Sequence, residues 1–263
     1  MLIFNSKFPN YVTEQYSDYV LIRFFPSEER MRFFLSGNLY MNPPHYYHNK
    51  MLGEGIYDMM EGAKLSVLGV GKKGMPKVEF GEIDGKICTT IKYLKPDEIP
   101  RDYKEPHFIY WPNGPKKQNI LCLYSLWIDG KNRRFMDINR DMIRNFGDYG
   151  VVIANRIEFL NRIGKAVQQN SAINSSECGF VTYLTDEEVR GIVDWNPFKK
   201  RAAGYSYQNE FRVCIQKDSE GPYTLNLGAS LEGIALPINT ERFFNTLQFL
   251  DDNRFSRTPE RFP

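Results

Sequence analysis

Apolar positions along the chain fall in short continuous runs broken by turn residues, with few long stripes of helical period. The run Val20 to Phe25 (V-L-I-R-F-F) is β-branched and aromatic around a single charge, which predicts a strand. Pro26-Ser27 then supplies a stop and a helix N-cap. Glu28 to Ser36 is predicted as a short helix, with two acidic residues in its first turn and Gly37 where a left-handed C′ residue is wanted. Leu39-Tyr40-Met41 follows as a strand, stopped by Asn42-Pro43-Pro44. Glycine-rich, irregular sequence from 49 to 74 predicts loops. Val78 to Tyr93 predicts a hairpin about Asp84-Gly85. Pro96 to Lys117 holds five prolines and few aliphatics, so it is expected to be a surface connection.

The most apolar run, Ile120 to Trp127 (I-L-C-L-Y-S-L-W), predicts a central strand because it is short, continuous and aromatic, although its period alone also fits a buried helix, and Tyr149 to Ala154 predicts a second buried strand. Between Ile157 and Asn170 the apolar residues Ile157, Leu160, Ile163, Ala166 and Val167 share one helical face. Cys178 to Leu184, Glu210 to Ile215 and Tyr223 to Leu227 read as further strands. Thr240 is expected to cap a last helix running to about Asp251. Hairpins and isolated helices without regular βαβ alternation predict an α+β domain.

Composition adds limits. A chain of 263 residues, 42% apolar and 25% charged, with a mean hydropathy of -0.47, has the profile of a globular protein. A chain of this size buries about three-quarters of its extended surface. Thirty-four Lys and Arg against 32 Asp and Glu leave +2, too little for a molecule-wide nucleic-acid footprint, so any basic site is local. Cys88, Cys122, Cys178 and Cys214 are separated by 34, 56 and 36 residues, which excludes a standard zinc module and a disulfide scaffold. No apolar run is long enough to span a membrane and no leader pattern opens the chain, so the cytoplasm is the expected compartment.

Several residues carry candidate chemistry. Glu210 enters a strand in which Phe211, Val213 and Ile215 alternate, so it shares a face with Arg212 and Cys214. It is either ion-paired to Arg212 or a lysine, or a functional carboxylate. Arg23 either faces solvent from an edge strand or places a charge inside a core strand, where its planar fork suits a phosphate or carboxylate. Ser125 and Tyr124 put hydroxyls in the central strand, each needing a partner if buried. His45-x-x-His48 lacks a third nearby ligand, and no metal site is expected. Asp58, Glu61 and Asp148 could gather around Mg²⁺ for phosphodiester hydrolysis. Basic residues at Lys131, Arg133, Arg134, Arg140 and Arg144, and Lys199-Lys200-Arg201 before Tyr205-Ser206-Tyr207, fit either solvated loops or a single-stranded nucleic-acid site. Phosphate-loop, dinucleotide-fold, hydrolase-elbow and zinc-protease motifs are absent.

The order of these residues resembles a known family. Arg23 on an early strand, a helix ending in Gly37 before L-Y-M-N-P-P, Ser125 on a central strand and a late Q-x-E (Gln208, Asn209, Glu210) resemble the Arg-Ser-Glu arrangement of ADP-ribosyltransferases. G-N-L-Y and Y-Q-N-E-F-R-V are also similar to segments of uncharacterised bacterial and prophage domain families, and loosely to DNA-modifying transferases of toxin–antitoxin systems. The serine strand departs from the family, reading Y-S-L in place of Ser-Thr-Ser.

The resemblance implies a single domain over 1–263, with a loop-rich insertion around 49–118. Its fold would be two packed, bent, antiparallel or mixed sheets with peripheral helices. The implied activity is NAD-dependent transfer of ADP-ribose to a nucleic acid or protein, as a toxin or phage-defence effector with a neutralising antitoxin as further partner. NAD is then a substrate, with no membrane involved. Arg23 would hold the pyrophosphate or adjacent ribose, Ser125 would support the carboxylate, Glu210 would bond the nicotinamide ribose, and Gln208 would read the acceptor. Tyr124, Tyr205 and Tyr207 would lie beside the cofactor, with Tyr205 or Tyr207 stacked on the nicotinamide. The alternatives are a metal-dependent nuclease using Asp58, Glu61 and Asp148, and a non-catalytic interaction module.

Overall fold

The computed structural model describes residues 2–5, 16–53, 55–58, 60–68, 75–83, 86–94, 107–110, 117–129, 134–135 and 139–247. In chain order the first elements are β1 (Ile3–Asn5), β2 (Tyr16–Phe25), α1 (Glu28–Leu35) and β3 (Asn38–Met41), followed by 3-10 turns at Pro44–His48 and Lys50–Leu52. Then come β4 (Leu65–Leu68), β5 (Met75–Ile83), β6 (Lys86–Leu94), β7 (His107–Tyr110), β8 (Gln118–Asp129), β9 (Arg134–Phe135), α2 (Asp141–Phe146), β10 (Tyr149–Ile153) and α3 (Arg156–Gln168). The remainder is β11 (Ile173–Phe180), β12 (Thr182–Leu184), β13 (Gly191–Asp194), β14 (Lys199–Arg201), a 3-10 turn at Ser206–Gln208, β15 (Glu210–Lys217), β16 (Tyr223–Asn226), β17 (Ala235–Asn239) and a helix, α4, described over 240–247.

The class is α+β. The main sheet runs β1-β11-β15-β8-β2-β10-β17, with β9 on the end of β8. From β11 to β17 every neighbouring pair is antiparallel, and β1 joins the β11 edge in parallel. Smaller sheets pair β12 with β14, β3 with β16, β5 with β6, and β4 with both β13 and β7.

Both faces of the central strands are covered, which accounts for the uninterrupted apolar run of β8. Leu21, Leu121, Leu123, Trp127, Val151, Phe211 and Val213 pack on one face against Met31 and Phe34 of α1 and Phe159 and Ile163 of α3. On the other, Ile22, Phe24, Tyr124 and Leu126 meet Met142 of α2 and Phe244 and Leu247 of α4. Alternation therefore sends Phe211, Val213 and Ile215 into the first core. Glu210 and Arg212 pair in register with Tyr124 and Cys122 on the opposite face.

Three differences from the sequence reading have local causes. Segment 96–117 is not wholly a connection: its residues 107–110 pair with β4, and the only other described residue there is 117. The strand expected over 178–184 breaks after Phe180 into β11 and β12, which join different sheets. Asn239, not Thr240, caps α4, because its Oδ1 accepts the Arg242 amide at 3.0 Å. The Thr240 hydroxyl donates to the Gly147 carbonyl instead. The hairpin pairs β5 and β6 end to end about the expected turn, although Asp84 and Gly85 lie outside the described residues. Among the described residues no helix is long and apolar enough to cross a membrane.

Candidate functional site

A cleft opens where two central strands part. The β2–β8 ladder ends at Ile22↔Tyr124, whereas β8 continues to pair with β15 back to Gln118. Beyond the split, β2 keeps only β10 as partner among the described residues, with Arg23 opposite Val151. The Cys122 carbonyl, which the ladder would otherwise satisfy, accepts from the Arg23 guanidinium. On the β8 side the gap is bordered by Asn42, whose carbonyl accepts the Ile120 amide at 2.8 Å. The cleft holds about 400 Å³, within the range of small-molecule sites, and is lined by β2, β8, α2, β15 and segment 44–63.

Its floor is a buried charge network. Arg212, 1% exposed, donates from Nε to Glu210 at 2.7 Å and from Nη1 and Nη2 to the two oxygens of Glu61 at 2.8 and 2.7 Å. Lys200 donates to the other Glu210 oxygen at 2.7 Å and to Gln208 Oε1 at 2.8 Å, with Asp58 4.0 Å away. Burial alone would raise the Glu210 carboxyl, but Arg212 and Lys200 outweigh it and hold it below the usual carboxylate range. Burial likewise opposes charge on Lys200 and Arg212, yet Glu210 and its neighbouring carboxylates push both upward, so both stay cationic. Glu61 is raised, because burial exceeds the pull of Arg212. With all five ionised, Asp58, Glu61, Glu210, Lys200 and Arg212 sum to one negative charge.

A strap formed by the described residues 44–53, 55–58 and 60–63 borders the cleft and carries Glu61 to Arg212. The Tyr205 hydroxyl donates to the Tyr57 carbonyl at 2.5 Å, and Gln208 Nε2 donates to the Gly55 carbonyl. Gly55 has φ +79°, which favours glycine, and a Cβ there would lie 2.2 Å from the Tyr207 hydroxyl, so a larger residue would have to displace that side chain. His48 Nε2 lies 2.7 Å from the Glu61 carbonyl, which ties the H-x-x-H motif into this strap.

The structure brings Arg23, Tyr124, Gln208 and Glu210 to one cleft. Ser125 does not line it. Fully buried, its hydroxyl donates to the Asn209 carbonyl at 2.5 Å and accepts from Trp127 Nε1 at 3.2 Å. Asn209 has φ +39° and directly precedes Glu210, so Ser125 fixes the turn that aims the carboxylate. Tyr205 and Tyr207 are also absent from the lining. Tyr205 packs its ring 4.5 Å from Lys200 Nζ, with burial pushing its hydroxyl up to about 12, and Tyr207 accepts from Asn145 at 2.8 Å. The rings that do line the cleft are Phe24, Tyr46, Tyr47, Tyr124 and Phe146.

Glu61 and Asp148 line the same cleft, but Arg212 occupies both oxygens of Glu61, and Asp58 accepts the Met60 amide at 2.9 Å. Among the described residues no three His, Cys, Asp or Glu side chains are grouped to hold a metal ion. Of the basic clusters, Lys131 and Arg133 lie outside the described residues, Arg144 lines the cleft, and Lys200 faces inward between the outward Lys199 and Arg201. The sequence reading did not single out Asn42 or Tyr47 for this site. Their signal was position alone, directly after the well-punctuated strand β3. Comparisons with protein-family models, curated proteins and solved structures find no match to this chain.

Proposed function

We propose that the cleft binds NAD and that the chain transfers its ADP-ribose to a nucleic acid or protein. The observation that carries this reading is the convergence of Arg23 and Glu210, 187 residues apart, on one cleft between parted central strands. Arg23 lines the cleft, and the planar fork of its guanidinium suits a phosphate. Arg30 and Arg144 add cationic character to the lining. On this reading the fold is that of two packed, bent sheets with peripheral helices, as in ADP-ribosyltransferases, and the main sheet supplies one wall of the cleft.

Glu210 suits electrostatic work better than proton transfer, since its two cations keep it ionised throughout the physiological range. Breaking the bond between sugar and nicotinamide develops positive charge on the sugar while the electron pair leaves with the base. A fixed carboxylate beside the developing charge favours that change. Lys200 and Arg212 hold its two oxygens, so little reorganisation is needed as the charge develops.

Incubation of the protein with labelled NAD, nucleic acids and lysate proteins tests the reading by label transfer and nicotinamide release. Glu210→Gln is expected to lower turnover at least about 100-fold. Arg23→Ala is expected to weaken NAD binding about 10- to 100-fold. Folded wild-type protein that neither binds nor consumes NAD would end the proposal, and unchanged turnover in Glu210→Gln would remove that residue from the reaction.

A further inference from the structure

The residues that line the cleft divide sharply by exposure. Glu61, Lys200, Glu210 and Arg212 form a floor at most 6% exposed, whereas Tyr46 is 39% exposed and marks the mouth. Among the described residues Tyr46 packs into none of the apolar cores. Its ring meets that of Tyr47 edge to face, with centroids 5.4 Å apart and planes at 88°. Such a contact sets the attitude of the ring and occupies at most one of its faces. The backbone is held as well. The Tyr46 amide donates to the Pro43 carbonyl at 3.0 Å, in a turn that opens on Pro44, whose ring fixes φ. Tyr46 thus presents a large aromatic surface to solvent at the entrance of a cavity, on a support that costs little to order.

On the proposed reading the reacting ribose of NAD lies at Glu210, on the floor. The floor is filled by its own ion pairs, so the rest of the ligand has to extend toward the mouth. NAD carries a planar base at each end, and a molecule with its nicotinamide half deep in the cleft brings its adenine to the entrance. We infer that Tyr46 is the platform on which this adenine stacks, an inference that rests on the proposed reading of the cleft. A purine has a broad neutral face, and stacking on it would cover the exposed tyrosine ring while the phenol hydroxyl stays in water. Tyr47, half-buried beside it, braces the platform.

Calorimetric titration of the full chain with NAD and with ADP-ribose, which keeps the adenine and lacks the nicotinamide, tests the assignment. Tyr46→Ala and Tyr46→Ser, used side by side in case one folds poorly, are expected to weaken both ligands by the same factor, about 10-fold. Tyr46→Phe keeps the ring and should bind both within about 3-fold of wild type. Adenine is the one planar base of ADP-ribose, so this pattern identifies the stacked group. A loss confined to NAD would put the ring on the nicotinamide, and an equal loss in Tyr46→Phe would assign the effect to the hydroxyl. Either result overturns the inference, as do unchanged affinities in the variants without a ring. Wild-type protein that binds NAD but not ADP-ribose also overturns it. All of these leave the cleft reading intact, whereas wild-type protein that does not bind NAD ends both.

Discussion

At the residue scale, Arg212 bears the heaviest demand, since it bonds both Glu61 and Glu210. Breaking a buried pair from one side leaves an uncompensated charge, so Arg212→Met is expected to cost about 3–5 kcal/mol in chemical denaturation, and a loss below about 1 kcal/mol would refute its role. Glu210 also predicts a pH dependence. Its folded pKa is depressed, so its contribution is present above the unfolded value of about 4.3 and is lost as pH falls below it. Glu61 is raised, so its contribution is present below that value and is lost as pH rises through its folded pKa. Removing Glu210 leaves only the second trend. Denaturation of Glu210→Gln at pH 6, 4 and 3 should therefore show a smaller acid loss than wild type, and equal acid slopes would contradict the ion-pair assignment. The pairing of Glu210 with Arg212 was legible from their two-residue spacing on one strand face. Its depth was not, because the strap that covers it has no hydrophobic period.

At the element scale, the clearest sequence signals belonged to elements with chemistry at both ends. Helix α1 runs from Glu28 to Leu35 behind its Ser27 cap, and Gly37 has φ +90° as its position required. A Cβ at Gly37 would also fall 2.1 Å from the Ala229 carbonyl oxygen. Gly37→Ala is thus expected to cost about 2 kcal/mol or more and to lower Tm by roughly 4–8 °C in a scanning melt. An unchanged Tm would show that this corner can relax. Strands β2, β8, β10 and β15 were equally legible, because burial on one or both faces leaves a run of apolar residues or a two-residue alternation. Helix α2, with six residues, and β14, with three, are too short to show either period. Lys200 consequently read as one member of a basic cluster, although β14 buries it between two outward neighbours. The parting of β2 from β8 was not legible at all. It depends on which strands pair, and pairing is written across more than a hundred residues of separation.

At the scale of the whole molecule, the candidate site is a junction of distant chain segments. The strap contributes Asp58 and Glu61, β14 contributes Lys200, and β15 with its preceding turn contributes Gln208, Glu210 and Arg212. Sequence order brought Arg23, Ser125 and Glu210 forward as a set, but only three-dimensional pairing separates the cleft residues from Ser125, which acts on the turn behind them. The bonds that cross this junction hold the outer wall of the cleft to the main sheet. Losing the bidentate Glu61–Arg212 contact should therefore loosen the wall before it loosens the sheet. In Glu61→Gln, hydrogen exchange at the Asp58 and Glu61 amides, which bond the Tyr47 and Asp58 carbonyls at 2.8 and 3.2 Å, is expected to rise about 10- to 100-fold. Amides of the β2–β10 ladder should keep their protection, because they rest on strand pairing and on two apolar cores rather than on the ion pair. A uniform rise over strap and ladder would make the network a support of the entire fold. Unequal rates would make it a local clasp, and a ligand that fills the cleft should then slow exchange in the strap.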